Sequence, residues 1–209
     1  MADNFVITIG RQFGSGGRDI GRAVAERLGV KCYDKEIIEL AAMENNISQD
    51  ILEKHDEKPM SGILSGMVSD IFSSGYSKSR FVDVSLEQQV FLAQFDTIKN
   101  LAEKESCVIV GRCGNYALQD HPNVLNVFVY ADMDFRVNQV ENVYKIEGIK
   151  KTTDFIMKMD KKRSAYYNYY TNEEWGSASN YDLCLNSSKF GVDGCVDLIL
   201  DVAARIKKG

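Results

Sequence analysis

The chain has 209 residues, 44% of them hydrophobic and 26% charged, which suits one compact domain with an ordinary core and excludes a disordered or fibrous protein. Its apolar runs, such as Val124 to Ala131 and Val196 to Ala204, fall well short of the roughly 20 residues of a membrane helix, and Met1-Ala-Asp-Asn4 leads into an apolar strand without the pattern of a secretion signal, so a cytoplasmic protein is expected. The net charge of -5 argues against a mainly electrostatic grip on nucleic acid or on anionic membrane, so any polyanion must be bound locally.

Phe5-Val-Ile-Thr-Ile9 is a β-branched apolar run that ends at Gly10, as a buried strand of a parallel sheet does. Ile20, Val24 and Leu28 then recur at helical spacing from Gly17, and Gly29 stands where a left-handed residue would close the helix. Val30 to Tyr33 reads as a second strand, completing a βαβ unit. A helix is expected over Asp34 to Ala42, whereas from Asn45 to Arg80 the pattern weakens. Ser85-Leu-Glu-Gln88 has the form of a capping box, followed by one apolar helical face through Phe91, Phe95, Ile98 and Ala102. Cys107 to Val110 and Val124 to Tyr130 read as buried strands, Asp182 to Leu185 as a weaker fifth, and Cys195, Ile199, Val202 and Ile206 lie on one face of a last helix. The alternation predicts an α/β sheet covered on both faces, with ligands at the carboxyl ends of the strands.

Gly10, Gly14, Gly16, Gly17 and Gly21 crowd the turn between the first strand and the first helix. Glycine permits positive φ and close approach, so successive backbone N–H groups can curl around phosphate oxygens at a helix N-terminus. Arg11 and Arg18 add full charges. In a Walker loop, Gly-x-x-x-x-Gly-Lys-Ser/Thr, the lysine reaches the β and γ phosphates; here Gly17 falls at the lysine position, and Arg18, a bidentate phosphate binder, is the natural substitute.

Arg112 follows Gly111 just beyond a central strand, where a second phosphate could sit, or a surface ion pair. Cys113 beside it has no histidine near it in sequence and reads as a structural thiol. Five scattered cysteines without a C-x-x-C pair, and only His55 and His121, give neither a disulfide framework nor a zinc site. Lys150, Lys151, Lys158, Lys161, Lys162 and Arg163 outnumber Asp154 and Asp160 in a basic helix. Ile156, Met159, Arg163, Tyr166 and Tyr170 share one of its faces, so Arg163 points along the apolar side, toward a phosphate or toward an ion pair with Asp160. The tyrosines at 166, 167, 169 and 170, with Trp175, are expected to anchor this helix to the core.

Taken in order, Ile7 to Arg18, Tyr33 to Ile38, Val108 to Gly114, Asp160 to Arg163 and Tyr181 to Asn186 resemble the cytidylate kinase-like branch of the P-loop nucleoside monophosphate kinases. The resemblance implies a three-layer P-loop NTPase fold in one domain over 1–209: a five-stranded parallel sheet, a helical acceptor-binding insertion near 34–84 and a helical lid near 148–172. It implies transfer of the ATP γ phosphate, with magnesium, to CMP, dCMP or a related acceptor. Gly14, Ser15, Gly16, Gly17 and Arg18, with Asp19, would cradle the donor phosphates. Asp34 and Arg112 would lie at the acceptor, and Arg163 would close over the transferring group, with Arg136 and Asp160 near the same cluster. Arg18, Arg112 and Arg163 would be the catalytic set; no residue is assigned as a metal ligand. Cytidylate kinases carry the loop lysine and aspartates on both sides of the Gly-Arg pair, where this chain has Gly17, Val110 and Cys113. Two alternatives therefore stay open: a nucleotide-binding regulatory module without turnover, and a small-metabolite kinase of the same fold. The expected partner is a nucleotide or small-molecule acceptor, not nucleic acid or membrane, and a homo-oligomer is compatible.

Overall fold

A computed structural model describes residues 4–45, 48–56, 85–145 and 148–206. In chain order the elements are β1 (Val6–Arg11), α1 (Gly17–Leu28), β2 (Lys31–Tyr33), α2 (Glu36–Asn45), α3 (Gln49–His55), α4 (Leu86–Lys104), β3 (Cys107–Val110), α5 (Gly114–Ala117), β4 (Val124–Tyr130), α6 (Met133–Tyr144), α7 (Ile149–Thr171), a 3-10 turn (Ala178–Asn180), β5 (Leu183–Asn186) and α8 (Ser187–Ile206). Most of the expected acceptor insertion, 57–84, lies outside the described residues.

The five strands form one parallel sheet in the order β2-β3-β1-β4-β5. β1 is central. It extends past its apolar run because Gly10 and Arg11 continue the ladder opposite Phe128 and Val129 of β4. Side chains alternate between faces. Ile7 and Ile9, with Val108, Val110, Val127 and Val129, pack against Ile20 and Val24 of α1 and Cys195, Val196 and Ile199 of α8. Val6, Cys107 and Ile109 face Ile37 of α2 and Ile98 and Leu101 of α4. Cys32 packs on the first of these faces and Cys107 on the second, and burial first of all pushes their thiols up to about 11 and about 12, which suits inert structural cysteines.

The expected boundaries hold at several places for the anticipated reason. Gly29 has φ 66° and its N–H meets the carbonyls of Ala25 and Glu26; the Ser85 hydroxyl accepts the Gln88 N–H at 3.3 Å. Others shift: β2 begins at Lys31 and β5 covers Leu183–Asn186, each displaced by one residue, and two helix starts move further. α2 starts at Glu36, not Asp34, because the Glu36 carboxylate takes the Asp34 N–H at 2.9 Å and holds that residue outside the helix. Helical structure before Cys195 begins already at Ser187, broken at Gly191 with φ 67° and ψ 177°. Because β1 lies between β3 and β4, the chain departs from it in both directions across the sheet, and the crevice at its carboxyl end is the topological position for a ligand.

Candidate phosphate-binding site

The loop from β1 to α1 occupies that crevice. Gly14 and Gly16 have φ of 78° and 75°, and a β carbon on Gly14 would stand 2.9 Å from Val140 Cγ2 and 3.0 Å from the Arg136 carbonyl. Glycine is therefore needed at 14 for both backbone and space. Ser15 is fully buried; its hydroxyl donates to the Gln12 carbonyl at 2.9 Å, and its own carbonyl accepts from Ser187 Oγ at 2.7 Å. The peptide of Phe13 is held at both ends. Its N–H donates to Asp160 Oδ1 at 2.8 Å, and its carbonyl accepts from Arg136 Nε at 2.7 Å. Arg136, itself buried, also pairs with Asp160 Oδ2. The Phe13 ring packs with Val137, Val140 and Ile156 and meets Phe155 edge-on at 5.4 Å. Burying such a ring contributes about 1.5–3 kcal/mol, so the loop is fastened by both packing and charge.

Asp34, just past β2 and 3% exposed, gathers three arginines. Arg18 Nε lies 2.6 Å from Oδ2, Arg112 Nη1 3.1 Å from Oδ1 and Arg11 Nη2 3.6 Å from Oδ1. Burial alone would raise the Asp34 pKa; the Arg11, Arg112 and Arg18 guanidiniums together outweigh it and hold the carboxyl below its ordinary value. Arg112 bridges to a second carboxylate, Asp56 Oδ2, at 2.9 Å. Gly111, Arg112 and Cys113 all have positive φ, 82°, 51° and 54°, an unusual run for two side-chain-bearing residues. The sharp turn brings Arg112 to Asp34 beyond the sheet edge, and buries Cys113 beside Phe91 and Tyr166.

Arg163 projects inward from α7. Its Nη1 donates to the Arg11 carbonyl at 3.2 Å, and its guanidinium lies 5.3 Å from the Phe13 ring centroid. The carboxylate of Asp160 goes to Arg136 and Phe13. Further along α7, Tyr166, Tyr167 and Tyr170 are buried against Phe91 and Leu92 of α4, with Tyr170 stacked on Phe91 at 4.1 Å, which is the anchoring expected of them. Trp175 meets Phe128 edge-on at 5.4 Å.

The structure thus brings Arg18, Arg112 and Asp34 into direct contact, and sets Arg163 against the main chain of the loop. Gly14, Gly16, Gly17, Arg18 and Asp19, with Arg11 and Arg163, line an open cleft of about 240 Å³; Ser15 supports it from beneath. Arg136 and Asp160 act on Phe13. Two participants carried no readable signal in the sequence. Asp56 sits in the stretch where periodicity fails, and its carboxylate is placed by Gln94 Nε2 at 3.1 Å. Phe13 is an isolated aromatic whose anchors lie more than a hundred residues away.

A parallel sheet in this order, with a glycine loop leaving its central strand toward a cluster of arginines, defines a P-loop kinase, an ATP-dependent phosphotransferase. The model of the cytidylate kinase-like family matches residues 6–189. The chain belongs to that family. It is 27% identical to the cytidylate kinase of Archaeoglobus fulgidus over 97% of this chain and 96% of that one. The crystal structure of an uncharacterized protein from Eubacterium ventriosum is 28% identical, with a TM-score of 0.69 over 96% of this chain and 99% of the other. Shikimate kinase from Bacteroides thetaiotaomicron, 13% identical, shares the fold, with a TM-score of 0.52 over 95% of this chain and 97% of its own.

Proposed function

We propose that this protein is a nucleoside monophosphate kinase that transfers the γ phosphate of ATP to CMP, dCMP or a closely related acceptor. The observation that carries the reading is the gathering of Arg11, Arg18 and Arg112 on one buried carboxylate at the strand ends, with Arg163 bonded to the adjoining main chain. Four guanidiniums beside a glycine loop suit a reaction between two phosphate-bearing substrates, for which positioning and charge neutralisation supply most of the catalysis.

In this reading the backbone of 14–18 and the first turn of α1 receive the donor phosphates, with Arg18 at the loop mouth. Arg112 holds the acceptor α phosphate through its planar fork, oriented by Asp34 and Asp56 until the phosphate arrives. Arg163 meets the charge that develops on the transferring group, a role worth about 10³-fold or more in rate. The segment 34–84 serves as the acceptor insertion and 148–172 as the lid, whose closure keeps water from the transferring phosphoryl group.

Magnesium enters as part of the MgATP substrate. The chain's own residues do not fit the metal site of a Walker loop: Arg18 stands where that loop has its hydroxyl, and no cluster of three His, Cys, Asp or Glu side chains occurs among the described residues. No step is assigned to a protein-held ion.

The test is a panel of nucleoside monophosphates with MgATP, read as ADP formed. Turnover with CMP or dCMP at least about tenfold above the purine nucleotides, a discrimination of about 1.4 kcal/mol, supports the reading. No ADP above background with any member of the panel overturns it.

A further inference from the structure

The Walker loop has glycine at its first position and lysine at its seventh. With Gly16 and Gly17 at positions six and seven, the first position is Arg11. Glycine and cation have changed ends of the motif. The structure gives this exchange a physical cause. A β carbon on Gly17 would lie 2.5 Å from the β carbon of Arg11 and 3.1 Å from its γ carbon, so position 17 has no room for a side chain while arginine stands at 11. The backbone does not ask for glycine there, because Gly17 is absent from the residues of positive φ. Arg11 does.

From that contact the Arg11 side chain runs toward Gly111 and Asp34, just past the carboxyl ends of β3 and β2. A β carbon on Gly111 would fall 1.8 Å from Arg11 Nη1, so the side chain passes two glycines, its β and γ carbons against Gly17 at the start of α1 and its guanidinium against Gly111 after β3. It ends beside Asp34 with the side chain only 9% exposed. Arg11 lines both the cleft over the glycine loop and a cavity of about 30 Å³ behind it toward Asn115 and Tyr167. Its own carbonyl is held by Arg163 at 3.2 Å.

We propose that Arg11 is the donor-phosphate cation of this enzyme, taking the part of the loop lysine from the opposite end of the motif, with Gly17 and Gly111 as the space its side chain requires. The inference rests on the kinase reading and assigns a residue which that reading leaves without a role. A guanidinium so placed offers a rigid fork to phosphate oxygens where lysine offers a point charge. Arg18 remains directed at Asp34.

Calorimetric binding of ATP, and of adenosine by competition, to wild type, Arg11→Met and Arg11→Gln tests it, each variant first checked for a cooperative melt. The expected result is an ATP affinity about 100-fold weaker, the order expected when charge-assisted hydrogen bonds to phosphate are lost, with adenosine affinity changed less than about threefold. A purely structural arginine would weaken both ligands alike, and equal losses overturn the proposal. So does ATP affinity within about threefold of wild type in either folded variant. Two replacements of different polarity are used so that misfolding of one leaves the other to decide. Wild type that binds no ATP sinks the kinase reading and this inference with it, whereas wild type that binds beside unaffected variants sinks this inference alone.

Discussion

Asp160 accepts the main-chain N–H of Phe13 at 2.8 Å, and this bond joins helix α7 to the glycine loop. The same carboxylate pairs with Arg136, whose Nε returns to the Phe13 carbonyl. The resemblance implies a place for Arg136 and Asp160 near the transferring phosphate; in the structure both hold the main chain of Phe13. Asp160→Ala leaves the buried Arg136 charge without this partner and should cost about 3 kcal/mol in stability, measured by denaturant unfolding. The KM for ATP should rise as the loop loosens. Asp160→Asn, which keeps an acceptor for Phe13, should lose less. Stability of Asp160→Ala within about 0.5 kcal/mol of wild type, the range of an ordinary surface change, would show that the clamp contributes nothing.

The buried Asp34 makes stability depend on acidity. Its folded pKa lies below the ordinary value of 3.8 despite burial, because Arg11, Arg112 and Arg18 favour the carboxylate. A group depressed on folding stabilises the protein fully above its unfolded pKa, and that contribution is lost as pH falls through the lower folded value. Asp34→Asn should therefore be less stable than wild type at neutral pH by about 3 kcal/mol, the cost of leaving buried arginines uncompensated. The gap should narrow in acid. Urea unfolding from about pH 7 to about pH 2 checks this; a gap independent of pH would contradict it.

Arg112 is bonded through separate nitrogens to Asp34 and Asp56. Lysine keeps the charge but cannot reproduce the fork. Arg112→Lys should lower kcat/KM for the acceptor about 100-fold, while the KM for ATP stays within about threefold, under 1 kcal/mol. Steady-state kinetics with each substrate varied in turn separates the two effects, and an equal loss for both would remove Arg112 from the acceptor side.

Two tyrosines on α7 should respond oppositely to loss of the hydroxyl. Tyr167 Oη accepts from Asn115 Nδ2 at 2.8 Å and donates to Glu173 Oε2 at 2.6 Å. Tyr167→Phe should cost about 1–3 kcal/mol, because buried polar partners are left short. The hydroxyl of Tyr170 has no hydrogen-bond partner among the described residues, so Tyr170→Phe keeps the stack on Phe91 and should be neutral or slightly stabilising. Thermal unfolding of the pair decides, and equal shifts would refute the distinction.

Strands, helices and the loop itself were legible because each rests on short-range pattern: the β-branched run of β1, the i, i+4 spacing of α1, the Gly29 stop and the Ser85 cap. The inward direction of Arg163 followed from helical periodicity alone. The end of α2 nearest the site departs from the local helical tendency, because the Asp34 N–H donates to the Glu36 carboxylate and stays outside the helix. Asp56 had no periodic context to reveal it.

The amino-acid order by itself determined the sheet, its alternation with helices, and the concentration of glycine and arginine at one turn, because these depend on neighbours a few positions apart. Only the folded chain decided which arginine lies where. Arg11 and Gly17 are six positions apart in the motif, yet their exclusion of one another depends on the strand and helix meeting at a distance of one atomic contact. The grip of Asp34 on Arg11, Arg18 and Arg112 likewise unites three segments that close-range chemistry cannot connect.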